Sequence, residues 1–316
     1  MRVFIQGATG VLGRRLVRDF AVDGHEVIGL ARDEKGEAAV RAAGGTPVRA
    51  DVYDAAALAK AAEGAEVVVR AATAIPTATR ATPKSFAENA TLRTEGSKAL
   101  LAAAVRVGAR VYLQESIVWV ARPPDGSHFD ENSPVQPDAI SASMIEAEEL
   151  ARSIGADTTM VTSTLRMGNF YAPEAWHTRL FGERLKARKL PIIGAGTAEV
   201  ALLHADDASS AFLAAAKAPR PGVYHVLDDK PAPIGEVLGE FARQLGAPAP
   251  KHVPPWLARL AAGKYTAEFF TLPMRTTNSR FKATFGWAPK YPTYKETLSD
   301  ITGAWRKEGF LVGGGQ

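Results

Sequence analysis

Residues 2–13 read RVFIQGATGVLG: five β-prone residues run straight into Gly7, Gly10 and Gly13. Val3, Phe4 and Ile5 suit a buried strand, and the glycines suit a sharp turn that opens a helix near Val11. Three demands converge on glycine in such a turn: a tight reversal, close approach of the backbone to a bound pyrophosphate, and close packing of helix on strand. The first N–H groups of the helix and its positive dipole end then face the anion. GxxGxxG alone also fits a plain connecting turn, so its surroundings decide.

Those surroundings repeat one pattern. EVIGLA (26–31), TPVRA (46–50), EVVVRAA (66–72), RVYLQES (110–116) and TTMVTSTLR (158–166) read as strands. VLGRRLVRDFAVDG (11–24), DEKGEAAVRAAG (33–44), DAAALAKAAEG (54–64), KSFAENATLRTEGSKALLAAAVRVG (84–108) and SASMIEAEELARS (141–153) read as helices between them. Near-continuous apolar strands alternating with helices predict right-handed crossovers and a parallel sheet covered on both faces. The expected class is α/β: a Rossmann-type doubly wound parallel sheet over 1–169, with a smaller C-terminal substrate lobe over 170–316, parts of which return to the first domain. VWVARPPDGSHFDENSPVQPDA (118–139) reads as a long loop, the kind of segment that often carries function.

The 316 residues carry 38 Lys and Arg against 34 Asp and Glu, a formal net charge of +4, with the two signs interspersed. No basic stripe points to nucleic acid, and no apolar run reaches the roughly 20 residues of a membrane span. Opening on a strand rather than a charged and apolar leader, the chain is expected in the cytoplasm. With no cysteine and six scattered histidines, thiolate chemistry is excluded and no metal site is expected.

The second strand ends on Ala31 and Arg32. An NAD site would be expected to place an acid there for the ribose hydroxyls, whereas Arg32 suits a 2′-phosphate and hence NADP. A one-residue shift would bring Asp33 to the same place, which keeps NAD open.

Taken together, GATGVLG (7–13), Asp51-Val52, Ala71-Ala72, TEGSKALLAAAVRVGARVYLQES (94–116), LRMGNFYAP (165–173), LLHADDASSAF (202–212), GVYHVLDDKP (222–231) and FGWAPKYPT (285–293) span nearly the whole chain. They resemble the short-chain dehydrogenase/reductase superfamily, in its extended branch, the NAD(P)-dependent epimerase/dehydratase family. The resemblance implies that Gly7, Ala8, Thr9, Gly10, Val11, Leu12 and Gly13 hold the cofactor with Arg32, that Asp51 and Val52 meet its adenine, and that Ala71, Ala72 and Thr73 line it. It also implies a Ser, a Tyr and a Lys as the catalytic set. In that set the tyrosine moves the substrate proton, the lysine lowers its pKa, and the serine orients the carbonyl.

Ser116 matches the serine. ISASMIEAEEL (140–150), however, aligns with the family's YxxSKxxxE so that Ile140 stands at the tyrosine and Met144 at the lysine, and neither can exchange a proton. On this alignment both should share one helical face toward the cofactor ribose, with Ile140 on the substrate side. Tyr171 and His128 are the candidate replacement proton donors. Arg166 and Asn169 match positions facing cofactor or substrate, although Arg166 equally suits a structural ion pair. His204, Asp206 and Asp207 read as mainly structural. Trp176, Phe181, Trp256, Phe269 and Phe270 give the lobe an apolar character that fits either core packing or an apolar substrate. The expected activity is NADP-dependent reduction of a small carbonyl or enone with a non-standard proton donor. A non-catalytic NADP(H) sensor and a redox-neutral isomerase or lyase are the alternatives. A small-molecule substrate and, by analogy, a homodimer are the expected partners.

Overall fold

The computed structural model describes residues 1–77 and 82–311. Its strands are β1 (Arg2–Gln6), β2 (Glu26–Leu30), β3 (Thr46–Val48), β4 (Val67–Arg70), β5 (Val111–Ile117) and β6 (Val161–Met167), joined by a seventh strand, Gly222–Val226. They form one parallel sheet in the order seventh–β6–β5–β4–β1–β2–β3. The doubly wound expectation is met. The order reverses between β1 and β4, and in such sheets that reversal opens a crevice at the carboxyl ends of the strands.

Alternating strand residues feed two cores. Val3, Ile5, Val67, Val69 and Leu113 meet Leu16, Val17 and Phe20 of α1 (Val11–Val22) and Phe212 of α7 (Ala205–Lys217). On the opposite face Phe4, Val68 and Tyr112 meet α3 (Ala55–Ala61), α4 (Ala87–Arg106) and α5 (Ala142–Asp157) through Leu58, Leu100, Ala104 and Ala151. Helix α2 (Glu34–Ala42) closes tightly at the sheet edge, where a Cβ on Gly29 would come within 2.8 Å of Val40 and 2.9 Å of Ala8.

After residue 169 the chain builds a third core around Phe241 and Trp305, between α6 (Trp176–Lys186), α8 (Ile234–Gln244) and α12 (Tyr294–Glu308). The same half returns α7 and the seventh strand to the large sheet, so the break at residue 169 is a point in the sequence, and the sheet draws on both sides of it. Among the described residues no helix is long and apolar enough to cross a membrane.

Candidate active site

Gly7 sits at φ +96°, and a Cβ there would lie 2.6 Å from the backbone of Ala71 and Ala72. The first turn of the phosphate loop therefore touches the end of β4 with nothing to spare. At Gly13 a Cβ would fall 1.9 Å from the Gly7 carbonyl oxygen, which brings helix against turn. Gly10 differs: a Cβ there would meet only the Gly7 oxygen, at 3.5 Å, so no contact within the chain requires glycine. It caps α1 with no side-chain hydrogen bond, and the N–H groups of the first helical turn have no partner within the helix. Such a cradle fits the pyrophosphate of a dinucleotide. Ala8 and Leu12 are buried beneath it, while Thr9 and Val11 line its half-exposed rim.

Beside the cradle, the Asp33 carboxylate caps α2 by accepting from the Gly36 N–H at 2.7 Å. Arg32 and Asp33 are both exposed at the strand tip, and Asp33 keeps its second carboxylate oxygen free of the cap. Asp51 accepts from the Tyr53 N–H at 2.9 Å and remains exposed next to half-buried Val52. Ala71 donates its N–H to the Gln6 carbonyl at 2.9 Å, Ala72 is buried, and Thr73 is exposed at the crevice rim.

Ser116 lies near the carboxyl end of β5, in register with Arg166 on β6. Its hydroxyl donates to Glu148 of α5 at 2.5 Å. Arg166 clamps the same carboxylate from the side, Nε to Oε1 at 3.0 Å and Nη2 to Oε2 at 2.7 Å. All three residues are buried. Fork-to-carboxylate pairing of this kind fixes the direction of the Glu148 carboxylate, so the serine proton points into the protein and its lone pairs remain for a ligand. Ser116 and Arg166 are legible in the sequence, whereas the carboxylate that joins them emerges only in the fold. The signal was the final glutamate of YxxSKxxxE.

The first turn of α5 departs from expectation. The helix starts at Ala142, so Ile140 lies in the preceding turn, where its N–H and that of Ser141 both donate to Asp138 Oδ1 at 2.7 Å. The Asp138 carbonyl also accepts from the Ala142 N–H at 3.0 Å, so Asp138 caps a hydrogen-bonded turn that runs into α5. Met144 is on the helix and buried, packed with Ile117 and Val120. Half-buried Ile140 thus sits one turn before Met144, in the lead-in to the helix.

The candidate replacement donors are not brought to Ser116. Tyr171 is buried in the lobe core with Leu185, Ile192 and Leu202, and burial pushes its phenol further up, away from proton exchange at neutral pH. His128 sits exposed in the loop between β5 and α5. Asn169 is held by its N–H to the Ala201 carbonyl at 2.7 Å, with its amide against Met274. His204, Asp206 and Asp207 are tied into structure: His204 caps α7, Asp206 takes Arg15 Nε at 2.7 Å, and Asp207 accepts from the Lys290 and Tyr291 N–H groups at 2.7 and 2.9 Å. Of the lobe aromatics, Phe181 and Phe270 pack on its core, Phe269 stands edge-on to Trp119, and Trp176 and Trp256 are exposed.

Comparison with known proteins places this geometry. Residues 3–226 match the family described as the NAD dependent epimerase/dehydratase family. A 3-diazoavenalumate denitrifying reductase from a Streptomyces species is 36% identical over 307 residues, 94% of this chain and 99% of that protein. A human epimerase family protein solved with NADPH superposes with a TM-score of 0.81 at 20% identity, over 96% of this chain and 99% of that one. A dTDP-glucose 4,6-dehydratase from Streptomyces venezuelae solved with NAD gives 0.79 at 21%, over 97% of both chains.

Proposed function

The chain belongs to the NAD dependent epimerase/dehydratase family, and we propose that within it this protein is an NADPH-dependent reductase working without a tyrosine–lysine pair. The observation that carries the reading is a contrast within one crevice: the backbone cradle is complete, while the start of α5 offers Ile140 and Met144. Gly7 to Gly13 would hold the pyrophosphate, Arg32 the 2′-phosphate, and Asp51 and Val52 the adenine end. When bound, the nicotinamide supplies a hydride, which on a ketone or enone leaves an oxygen or carbon in need of a proton, and on a diazonium carbon forms C–H while the C–N electron pair departs with dinitrogen.

The residues of this chain suit the second acceptor better. Ser116 gives its proton to Glu148, so it offers an acceptor rather than a donor to a developing oxyanion. Tyr171 is sealed in the lobe core. The name of the Streptomyces relative, a diazo-compound reductase that removes nitrogen, supports this reading. Reduction of a small apolar carbonyl or enone, with water as proton source, is the second reading, supported by the apolar rings of Trp119 and Phe269.

Purified protein titrated with NADPH and then given benzenediazonium, apolar ketones and enones tests this directly. NADPH oxidation with the diazonium salt above the protein-free rate is expected, with ketones and enones much slower. Tight NADPH binding with no turnover on any acceptor would overturn the reductase reading in favour of a sensor. Product formed without net NADPH change would instead indicate a redox-neutral reaction.

A further inference from the structure

An arginine inside the strand EVVVRAA is costly, because a buried guanidinium must find partners. Arg70 is fully buried at the end of β4, one residue before Ala71, and lies in register with Gln6, one residue before Gly7. Its Nη2 donates to the Leu92 carbonyl of α4 at 3.2 Å, and its Nη1 stands 3.8 Å from Glu115 Oε2. Arg93, the next residue on α4 and 3% exposed, feels the charges of both Glu115 and Arg70. One turn earlier Asn89 accepts from the Ala74 N–H at 2.7 Å, which ties α4 to the segment lining the crevice.

Two features set this cluster apart. The charges do not balance: Glu148 pairs with Arg166, whose Nη1 is still without a partner, leaving Arg70 and Arg93 with Glu115 as their carboxylate. Burial lowers Arg93 only to about 10, so it stays protonated at neutral pH, and burial raises Glu115, which weakens the one counter-charge further. The second feature is the hydrogen bonding. Arg70 Nε and Nη1, Arg93 Nη1, Asn89 Nδ2 and Gln6 Nε2 are buried donors without a protein partner, against Gln6 Oε1 and Glu115 Oε2 as acceptors in the same condition. Donors outnumber acceptors in a buried cluster of net positive charge, and such an environment recognises an anion.

We propose that Arg70 and Arg93, with Gln6 and Asn89, form an internal site for a carboxylate-sized monovalent anion at the floor of the cofactor crevice. The ligand is either a free ion or the carboxylate of a substrate; both present the same chemistry. Because Gln6 and Arg70 lead directly into Gly7 and Ala71, an occupant here stiffens the strand ends that carry the dinucleotide cradle. The site is independent of whether the protein is a reductase.

Crystals of the NADPH complex soaked in sodium bromide should show anomalous density between the Arg70 and Arg93 guanidinium groups. Soaking in sodium benzoate separates the two sources: displacement of that bromide identifies a pocket open to a substrate carboxylate, and retention identifies a closed ion site. In solution, raising chloride or bromide to about tenfold its dissociation constant should raise the Tm of the wild type by about 3 °C more than that of Arg93→Met. Arg93→Met should abolish the halide-specific rise, Arg93→Lys should retain part of it, and Glu115→Gln should strengthen halide binding several-fold. A purely structural ion cluster would not respond in that last direction. Bromide confined to the surface, together with the same response of Tm to halide in wild type, Arg93→Met and Glu115→Gln, would overturn the proposal.

Discussion

The turn between β1 and α1 and the junction of β5, β6 and α5 lie along the same sheet edge, yet they are specified by different parts of the chain. In the turn, contact distances of backbone to backbone dictate glycine: a Cβ at Gly7 or Gly13 would collide with main-chain atoms. At the junction the fold is kept by side chains, Ser116 to Glu148 to Arg166, and the proposed reading puts Ile140 and Met144 at the tyrosine and lysine positions. Main-chain contacts thus hold the turn, whereas hydrogen bonds between side chains hold the junction.

The sharpest way to break the comparison lies within the turn. Gly13→Ala must displace the Gly7 carbonyl, whose oxygen would be 1.9 Å from the new Cβ, so a loss of at least about 3 kcal/mol of stability and of dinucleotide binding is expected by denaturant melt and fluorescence titration. Gly10→Ala meets nothing closer than 3.5 Å and should keep its Tm within about 2 °C while weakening NADPH at least about tenfold. Equal damage from both would deny that Gly10 faces a ligand.

At the junction, Glu148→Ala strands the buried Arg166 guanidinium and should cost about 3–5 kcal/mol in urea unfolding. Glu148→Gln, which keeps an acceptor for Arg166, should cost less. A loss below about 1 kcal/mol for Glu148→Ala would mean that Arg166 finds water instead.

Much of this was legible beforehand, for physical reasons. Strand–helix alternation and the glycine spacing report backbone requirements, so the sheet, the cradle and the structural role of His204, Asp206 and Asp207 could be read from the sequence. Helix α5 was readable as a helix, but its lead-in was not: Asp138, two residues before Ile140, caps a turn ahead of Ala142 through two N–H groups and its own carbonyl. Tyr171 is polar enough to suggest chemistry, and only tertiary packing reveals it as core. Arg70 and Arg93 looked like ordinary charges because the register of Arg70 with Gln6 is a property of the assembled sheet.

Away from both regions, Asp228 after the seventh strand offers a smaller, pH-dependent test. Burial pushes its carboxyl from 3.8 up to about 8. The folded state thus holds a proton that the unfolded state releases above about pH 4, so this group progressively costs stability as pH rises toward 8. Asp228→Asn should therefore stabilise the protein by a few kcal/mol at pH 8 and by progressively less toward pH 4, read from unfolding free energies across that range. A variant no more stable than wild type at pH 8 would contradict a neutral, buried Asp228.

Smallest in energy is Arg32→Ala. Removing a charge-assisted contact to the 2′-phosphate should weaken NADPH about ten- to hundredfold and leave NADH nearly unchanged. Equal loss for both cofactors would assign Arg32 to the fold.

The central claim is that a complete cradle serves hydride transfer with no tyrosine–lysine relay. It is tested most directly with NADPH deuterated at the nicotinamide C4 and an aryl diazonium acceptor. The account predicts deuterium on the ring carbon that carried nitrogen, dinitrogen released in equal amount, and a rate that does not follow the titration of a phenol between pH 6 and 10. Unlabelled product, or a deuterated alcohol formed only from ketones with such a titration, would contradict it.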